Sequence, residues 1–245
     1  MRDEWLRMVD DTVGGLVKAL HYLEHLEELT GPRVAVFDAD GVLWRGDVSE
    51  DFTRWMIERG HFDDALWDWY SRVNAADPAA ACLAMLEFYT CMPVERLAAH
   101  VSEFWRTGGE RAWIEPAVRT LRRLEAQGFS VYVVSGTPRP VLEPLVEHLP
   151  VRVDHILALE LEVDADGQAT GGHHGVVTCG TGKAQALRDR TAAPVYLAAG
   201  NSVLDVEILR LSDDVRWVIK PDAKLREVAV REGWLITDED GIEDD

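Results

Sequence analysis

From residue 116 onward the chain alternates short apolar runs with helical patterns, and this alternation limits the fold more than any other feature. A helical pattern covers 116–127, and Gly128 stops it. The run Phe129 to Val134, FSVYVV, reads as a strand, and Pro138 opens a helix over 138–148. Residues 153–164 and 169–178 read as strands joined by the turn Asp164-Ala165-Asp166-Gly167. A helix at 181–190 leads to the strand Pro194 to Ala199, a helix at 203–211, the strand Val215 to Lys220 and a helix at 222–232. Parallel strands need a crossover between them, and a helix is the usual one. The pattern therefore predicts an α/β fold, a parallel sheet flanked by helices on both faces. In such folds the functional groups gather at the carboxyl ends of the strands.

The first half differs. Residues 4–29 carry apolar residues at helical spacing, ended by Gly31-Pro32, and residues 33–38 read as a buried strand. From 48 to 107 the texture is helical and rich in Trp, Tyr and Ala, with breaks at Asn74 to Pro78 and at Met92-Pro93. Three or four helices and no strand are expected there. A chain of 245 residues suits one large domain or a core with a smaller insertion. The tail TDEDGIEDD is acidic and is expected to fray.

Bulk properties exclude some function classes. A net charge of −19 opposes binding to nucleic acid or anionic membranes, which require a basic face. Cys82, Cys91 and Cys179 lack CxxC spacing, which argues against a disulfide framework or a structural zinc site. The start lacks a signal-like apolar core, and no apolar run is long enough to span a bilayer. A cytoplasmic enzyme or binding protein is the expectation, with its oligomeric state open.

The strand ends carry the chemistry. Asp38 and Asp40 follow the first strand, Ser135, Gly136 and Thr137 the second. Gly182-Lys183 opens a helix, and Gly200, Asn201, Ser202 and Asp205 follow a later strand. A carboxylate can attack phosphorus when a hard cation screens the two anions. Mg²⁺ prefers oxygen ligands, and hydroxyl, amide and ammonium donors suit phosphate oxygens. A second carboxylate can move the leaving-group proton.

This ordered set resembles the haloacid dehalogenase (HAD) superfamily, and its phosphatases in particular. The resemblance rests on DADGV (Asp38 to Val42), on Ser135 in VVSGT, on Lys183, and on GNSVLD (Gly200 to Asp205). It implies a Rossmann-like core and an aspartyl-phosphate mechanism. Asp38 would be the nucleophile and a Mg²⁺ ligand. Asp40 would be the general acid and base, ligating Mg²⁺ through its backbone carbonyl. Ser135, Gly136 and Lys183 would bind phosphate, and Asn201 and Asp205 would complete the metal site, directly or through water. The family's fourth motif usually begins Gly-Asp, whereas here it is Gly200-Asn201. One negative charge is lost, which points to weaker metal binding. The presence of Asp40 favours a phosphatase or phosphomutase over a dehalogenase. A non-catalytic metal- or phosphate-binding member stays open because of Asn201.

The helical stretch resembles the C1-type cap of the phosphoserine phosphatase-like branch. That implies a core of residues 1–46 and 109–245 and a cap of residues 47–108 that closes the site and reads the leaving group of a small phosphomonoester. Asp47, Glu50 and Asp51 are candidates for facing a substrate amine, Asp47 foremost; Arg45, Arg54 and Arg72 are candidates for a carboxylate, as a phosphoserine-like substrate would need. Trp44, Trp55, Trp67, Trp69 and Trp105 leave a phosphocholine-like substrate open, since aromatic faces bind quaternary ammonium. Packing within the cap is the competing reading, with Trp44 the candidate substrate reader because it follows Asp40 closely. His173-His174 point to opposite faces of a strand and cannot easily share an ion.

Overall fold

The computed structural model describes residues 32–107, 109 and 112–242. The expected helix at 4–29 lies outside them. The α/β expectation holds. Seven strands form one sheet: β1 (Val34–Phe37), β2 (Ser130–Pro138), β3 (Ile156–Val163), β4 (Ala169–His174), β5 (Val195–Gly200), β6 (Ser212–Ile219) and β7 (Leu235–Thr237). Their order is β4-β3-β2-β1-β5-β6-β7, and every pair is parallel except β3 with β4.

β1 is central, and all four of its residues are buried. Its apolar run fits a strand covered on both faces. Val34 and Val36 enter one apolar layer, and Ala35 and Phe37 enter the other. The first layer is closed by helices α7 (Thr181–Arg190), α8 (Val206–Leu209) and α9 (Ala223–Glu232). The second is closed by α5 (Glu115–Ala126) and α6 (Arg139–Val146). α5 stops where Gly128 takes φ 84°, and α9 stops at Gly233 with φ 68°, conformations that favour glycine.

Between β1 and β2 lies a helical insert: α1 (Val48–Glu58), α2 (Asp64–Ala76), α3 (Pro78–Ala84), a 3₁₀ segment (Met85–Tyr89) and α4 (Val94–Thr107). Each of α1, α2 and α3 begins at an aspartate, Asp47, Asp63 or Asp77, whose carboxylate accepts from a free first-turn amide. Phe52 and Trp55 of α1 pack on Phe104 of α4. The stretch after the 3₁₀ segment is tied to the β3–β4 hairpin, since the Cys91 and Val94 amides donate to the Ala169 and Gly167 carbonyls at 2.8 and 3.0 Å.

Some expectations needed correction. The strand expected from 153 begins at Ile156, after a 3₁₀ turn, and the helix expected over 203–211 is a 3₁₀ turn (Val203–Asp205) followed by the single turn α8. Both segments are too short for periodicity to fix their type, and β7, only three residues, escaped notice for the same reason. The described part of the tail is not frayed. Asp238 closes a turn by accepting from the Asp240 and Ile242 amides, and Glu239 pairs with Arg45 and Lys220. Among the described residues no helix is long and apolar enough to cross a membrane.

Candidate active site

Phe37 pairs with Val133 on one side and with Ala199 on the other, so the ends of β1 and β5 lie beside the last residues of β2, which runs on through Ser135, Gly136 and Thr137 to Pro138 rather than ending at Val134 as expected. The loops that follow share one edge of the sheet. The Asp38 amide makes the last rung, donating to the Ala199 carbonyl at 2.9 Å. The Asp38 side chain is then delivered, buried, into the mouth of a cavity of about 450 Å³ between the sheet edge and the insert.

Lys183, in the first turn of α7, reaches Asp38 Oδ1 at 2.7 Å and Asp205 Oδ1 at 2.6 Å. Asp205 is fully buried, and its Oδ2 accepts from the Asn201 and Ser202 amides at 2.9 and 3.0 Å. Gly200 allows this, because a Cβ there would stand 2.5 Å from the Asp205 Cβ. Burial and the Asp205 charge raise Asp38 to about 8, against the pull of Lys183. Burial alone would lower the Lys183 ammonium, but Asp205 and Asp38 outweigh it and hold it above its usual value.

Asp40 is fixed from three sides. Trp44 Nε1 and the Val48 amide both donate to Oδ1 at 2.8 Å, and the Thr137 hydroxyl donates to Oδ2 at 2.7 Å. Burial, then the Asp47 charge, raises Asp40 to about 7 despite these donors. Ser135 Oγ accepts from the Thr137 amide at 3.0 Å, within the irregular end of β2.

Asp38, Asp40, Ser135, Gly136, Lys183 and Asn201 all line the cavity. Asp205 and Trp44, also singled out from the sequence, do not. Asp205, expected at the metal, lies behind Lys183 with both oxygens engaged; it positions the lysine and the Asn201 loop. Trp44, expected to face substrate, is fully buried, with its indole N–H turned to Asp40 and its ring edge-on to Trp113. The other tryptophans do not line the cavity either. Trp55 packs in the insert, and Trp67 sits beneath the Arg54 guanidinium. The aromatic-box reading is therefore corrected: the one cavity-lining aromatic among the described residues is Tyr70.

From the insert, Asp47 and Glu50 line the cavity. Asp47 Oδ1 caps α1 by accepting from the Glu50 amide at 2.9 Å and the Ser49 hydroxyl at 2.7 Å. Glu50 Oε1 accepts from the Tyr70 hydroxyl at 3.0 Å and Asn74 Nδ2 at 3.2 Å. Burial, then Asp47, raises the Glu50 carboxyl. The candidate arginines are elsewhere: Arg45 pairs with Glu239 and Asp240, and Arg72 is exposed outside the cavity. Thr137 was named among the strand-end groups without a role, and the Tyr70–Asn74 pair was not singled out from the sequence. The i, i+4 spacing of Tyr70 and Asn74, which places them on one helix face, was their only signal.

Cys82 of α3 and Cys179, just before α7, form a disulfide and both line the cavity. This corrects the expectation of no disulfide. The two are 97 residues apart, and only the seating of the insert brings them together.

Among the described residues no three His, Cys, Asp or Glu side chains converge as a metal cluster. Hard-oxygen donors of mixed kind are present instead. Asp38 has Oδ2 clear of Lys183, the Asp40 carbonyl accepts no backbone amide outside regular elements, and Asn201 carries an amide oxygen in the cavity wall. This set fits Mg²⁺, which uses one or two carboxylates together with waters and substrate phosphate.

The chain belongs to the haloacid dehalogenase-like hydrolases, whose family model matches residues 35–210. It is 26% identical over 221 residues to a histidinol-phosphatase of Neisseria meningitidis, covering 83% of this chain and 97% of that protein. It is 31% identical over 206 residues to a phosphoserine phosphatase of Mycobacterium tuberculosis, covering 80% of this chain but only 46% of that one. A structure of a Bordetella pertussis protein of unknown function superimposes with TM-score 0.71 at 24% identity, over 86% of this chain and all 100% of that one. A phospho-aspartyl intermediate analogue of phosphoserine phosphatase superimposes at 0.59 and 18%, over 81% and 91%. The chain is thus a HAD hydrolase whose named relatives are phosphoric monoester hydrolases.

Proposed function

We propose that this chain hydrolyses the phosphate monoester of a small cationic amino alcohol, with Asp38 as nucleophile and Asp40 as proton carrier. The observation that carries the reading is the pairing of Lys183 with Asp38 and Asp205, beside an Asp40 fixed by three donors at the same cavity. Lys183 draws the phosphate towards Asp38, and with bound Mg²⁺ it would hold Asp38, raised to about 8 without metal, as the carboxylate whose Oδ2 attacks phosphorus. Asp40, raised to about 7, holds a proton near neutrality for the leaving alkoxide. Once ionised, it takes a proton from the water that cleaves the aspartyl-phosphate. Ser135 and the Gly136 amide bind the transferring oxygens. Mg²⁺ held by Asp38, the Asp40 carbonyl and Asn201 would supply charge screening between phosphate and nucleophile.

Of the described residues, 47–107 act as the cap over a core of residues 32–46, 109 and 112–242. The leaving-group side of the cavity carries Asp47 and Glu50. Its described cations, Lys183 and Lys220, both have acidic partners. That balance favours an amine over a carboxylate, and so histidinol phosphate over phosphoserine.

Purified protein with Mg²⁺ is assayed for phosphate release from a generic aryl phosphate, histidinol phosphate, phosphocholine and phosphoserine. Release is expected, highest for histidinol phosphate, and Asp38→Asn abolishes it. No release from any ester would sink the hydrolase reading. Transfer to a second hydroxyl in place of water would identify a phosphomutase. A phosphoserine preference would overturn the amine assignment.

A further inference from the structure

The strongest unexplained feature is the Cys82–Cys179 bond. Cys82 belongs to α3 in the insert, and Cys179 stands four residues before Lys183 in the core. The bond therefore joins the wall that the insert contributes to the wall that the core contributes. It also lies against the end of β2: a Cβ at Gly136 would stand 3.3 Å from Cys82 Sγ.

The insert is held unevenly. Its α1 and α4 carry several buried residues each, including Phe52 and Met56 of α1 and Leu97 and Phe104 of α4. Residues 91–94 are hydrogen-bonded to the β3–β4 hairpin. By contrast, α2 fully buries only Tyr70, with Leu66, Trp67 and Val73 partly buried, and α3 buries only Ala81 and Ala84 before it runs into the buried 3₁₀ segment. Yet α2 and α3 are the segment that overhangs the site, contributing Tyr70, Asn74, Pro78, Ala81 and Cys82 to the cavity wall. Segments with so little apolar burial sit at the low end of local stability and open first. Partly buried rings and the Glu50 hydrogen bonds tie α2 to the insert itself, and the covalent bond adds the link from α3 to the core.

We propose that Cys82–Cys179 is a redox latch: oxidised, it holds the α2–α3 lid down on the site, and reduced, it lets the lid lift for substrate entry and product release. The proposal rests on the phosphatase reading of the site for its effect on turnover, but not for the latch itself. A dithiol reductant opens it. One thiolate attacks Cys82 Sγ, the more exposed sulfur-bearing residue, and the Cys82–Cys179 bond breaks. Cys179 leaves as a thiolate and takes a proton from water. The second reductant thiolate then attacks the mixed disulfide and frees Cys82, so two electrons pass to the protein and the reductant ends as a disulfide. A disulfide oxidant reverses the exchange. A bond that only stapled a rigid unit would join parts that never separate, whereas this one joins the lid to the base it must leave. Cys91 is exposed, lies outside this cavity and takes no part.

The test compares oxidised and dithiothreitol-reduced protein by two independent readouts. Backbone hydrogen exchange across residues 64–84 is expected to quicken on reduction, while exchange in α1 and α4 stays unchanged. Aryl phosphate turnover with Mg²⁺ is expected to rise about tenfold, as when an open form held near a tenth of the population is released. Cys82→Ser and Cys179→Ser are expected to show the fast exchange and high turnover with or without reductant, and Cys91→Ser to respond as the unaltered protein does. Equal exchange at residues 64–84 in the two redox forms overturns the latch, as does turnover that falls on reduction. If exchange responds but no phosphate is released in either form, the latch stands and the phosphatase reading fails.

Discussion

Asp40 is set by groups that the sequence presents in different places: the Trp44 indole, the Val48 amide and the Thr137 hydroxyl. Its neighbourhood in DADGVLW suggested an aromatic wall for substrate, yet the useful atom of Trp44 is its indole N–H. A hydrogen bond to a charged group is worth about 1.5–3 kcal/mol, so Trp44→Phe is expected to lower kcat by about tenfold or more with Mg²⁺ affinity unchanged. Steady-state kinetics with a Mg²⁺ titration check this; a change confined to KM would return Trp44 to the substrate wall. Asn201 is the opposite case, since its departure from the family pattern was readable at once. Asn201→Asp is expected to restore a carboxylate donor and lower the Mg²⁺ concentration for half-maximal activity several-fold. An unchanged midpoint would remove Asn201 from the metal site.

At the level of elements, α1 and α2 meet through one carboxylate. Glu50 lies one turn into α1, and Tyr70 and Asn74 lie one turn apart on α2. The helical character of this stretch was legible from its pattern, whereas the aspartate caps that start each helix were not read. Which faces would meet was not legible, because amphipathic pattern names a buried side and no partner. Glu50→Gln keeps acceptor geometry but removes the charge. It is expected to raise KM for a cationic amino-alcohol phosphate about tenfold while leaving kcat and aryl phosphate hydrolysis near normal, a factor that corresponds to about 1.4 kcal/mol. Equal KM for charged and neutral esters in this variant would show that Glu50 does not read the amine. The strand ends behave differently: β1, β2 and β5 delivered their loops to one edge as expected, because a parallel sheet leaves no other arrangement.

For the whole molecule, the buried carboxylates couple stability to pH. Asp38 rises from 3.8 to about 8 and Asp40 from 3.8 to about 7. Below pH 4 these groups are largely protonated in both the folded and unfolded chain and contribute nothing. Between about pH 4 and pH 8 the folded state keeps protons that the unfolded chain has lost, so stability falls as pH rises across that window. The metal-free protein is therefore expected to lose thermal midpoint between pH 5 and pH 8. Mg²⁺ is expected to return more of it at pH 8 than at pH 5, because it binds the ionised carboxylates. Scanning calorimetry with and without Mg²⁺ gives the answer, and a midpoint that climbs from pH 5 to pH 8 without metal would contradict the buried, raised state of both aspartates.

The sequence by itself determined the α/β sheet, the helical insert after the first strand, and the gathering of Asp38, Asp40, Ser135, Lys183 and Asn201. Each follows from local pattern: periodicity names the elements, and parallel connectivity collects the residues just past their ends. Tertiary structure alone decided that Asp205 serves Lys183, that Trp44 serves Asp40, and that Cys82 meets Cys179. Those outcomes depend on how a helical insert seats over a sheet edge, which brings together groups far apart in the chain and turns particular atoms inward. Short-range pattern carries no information about either.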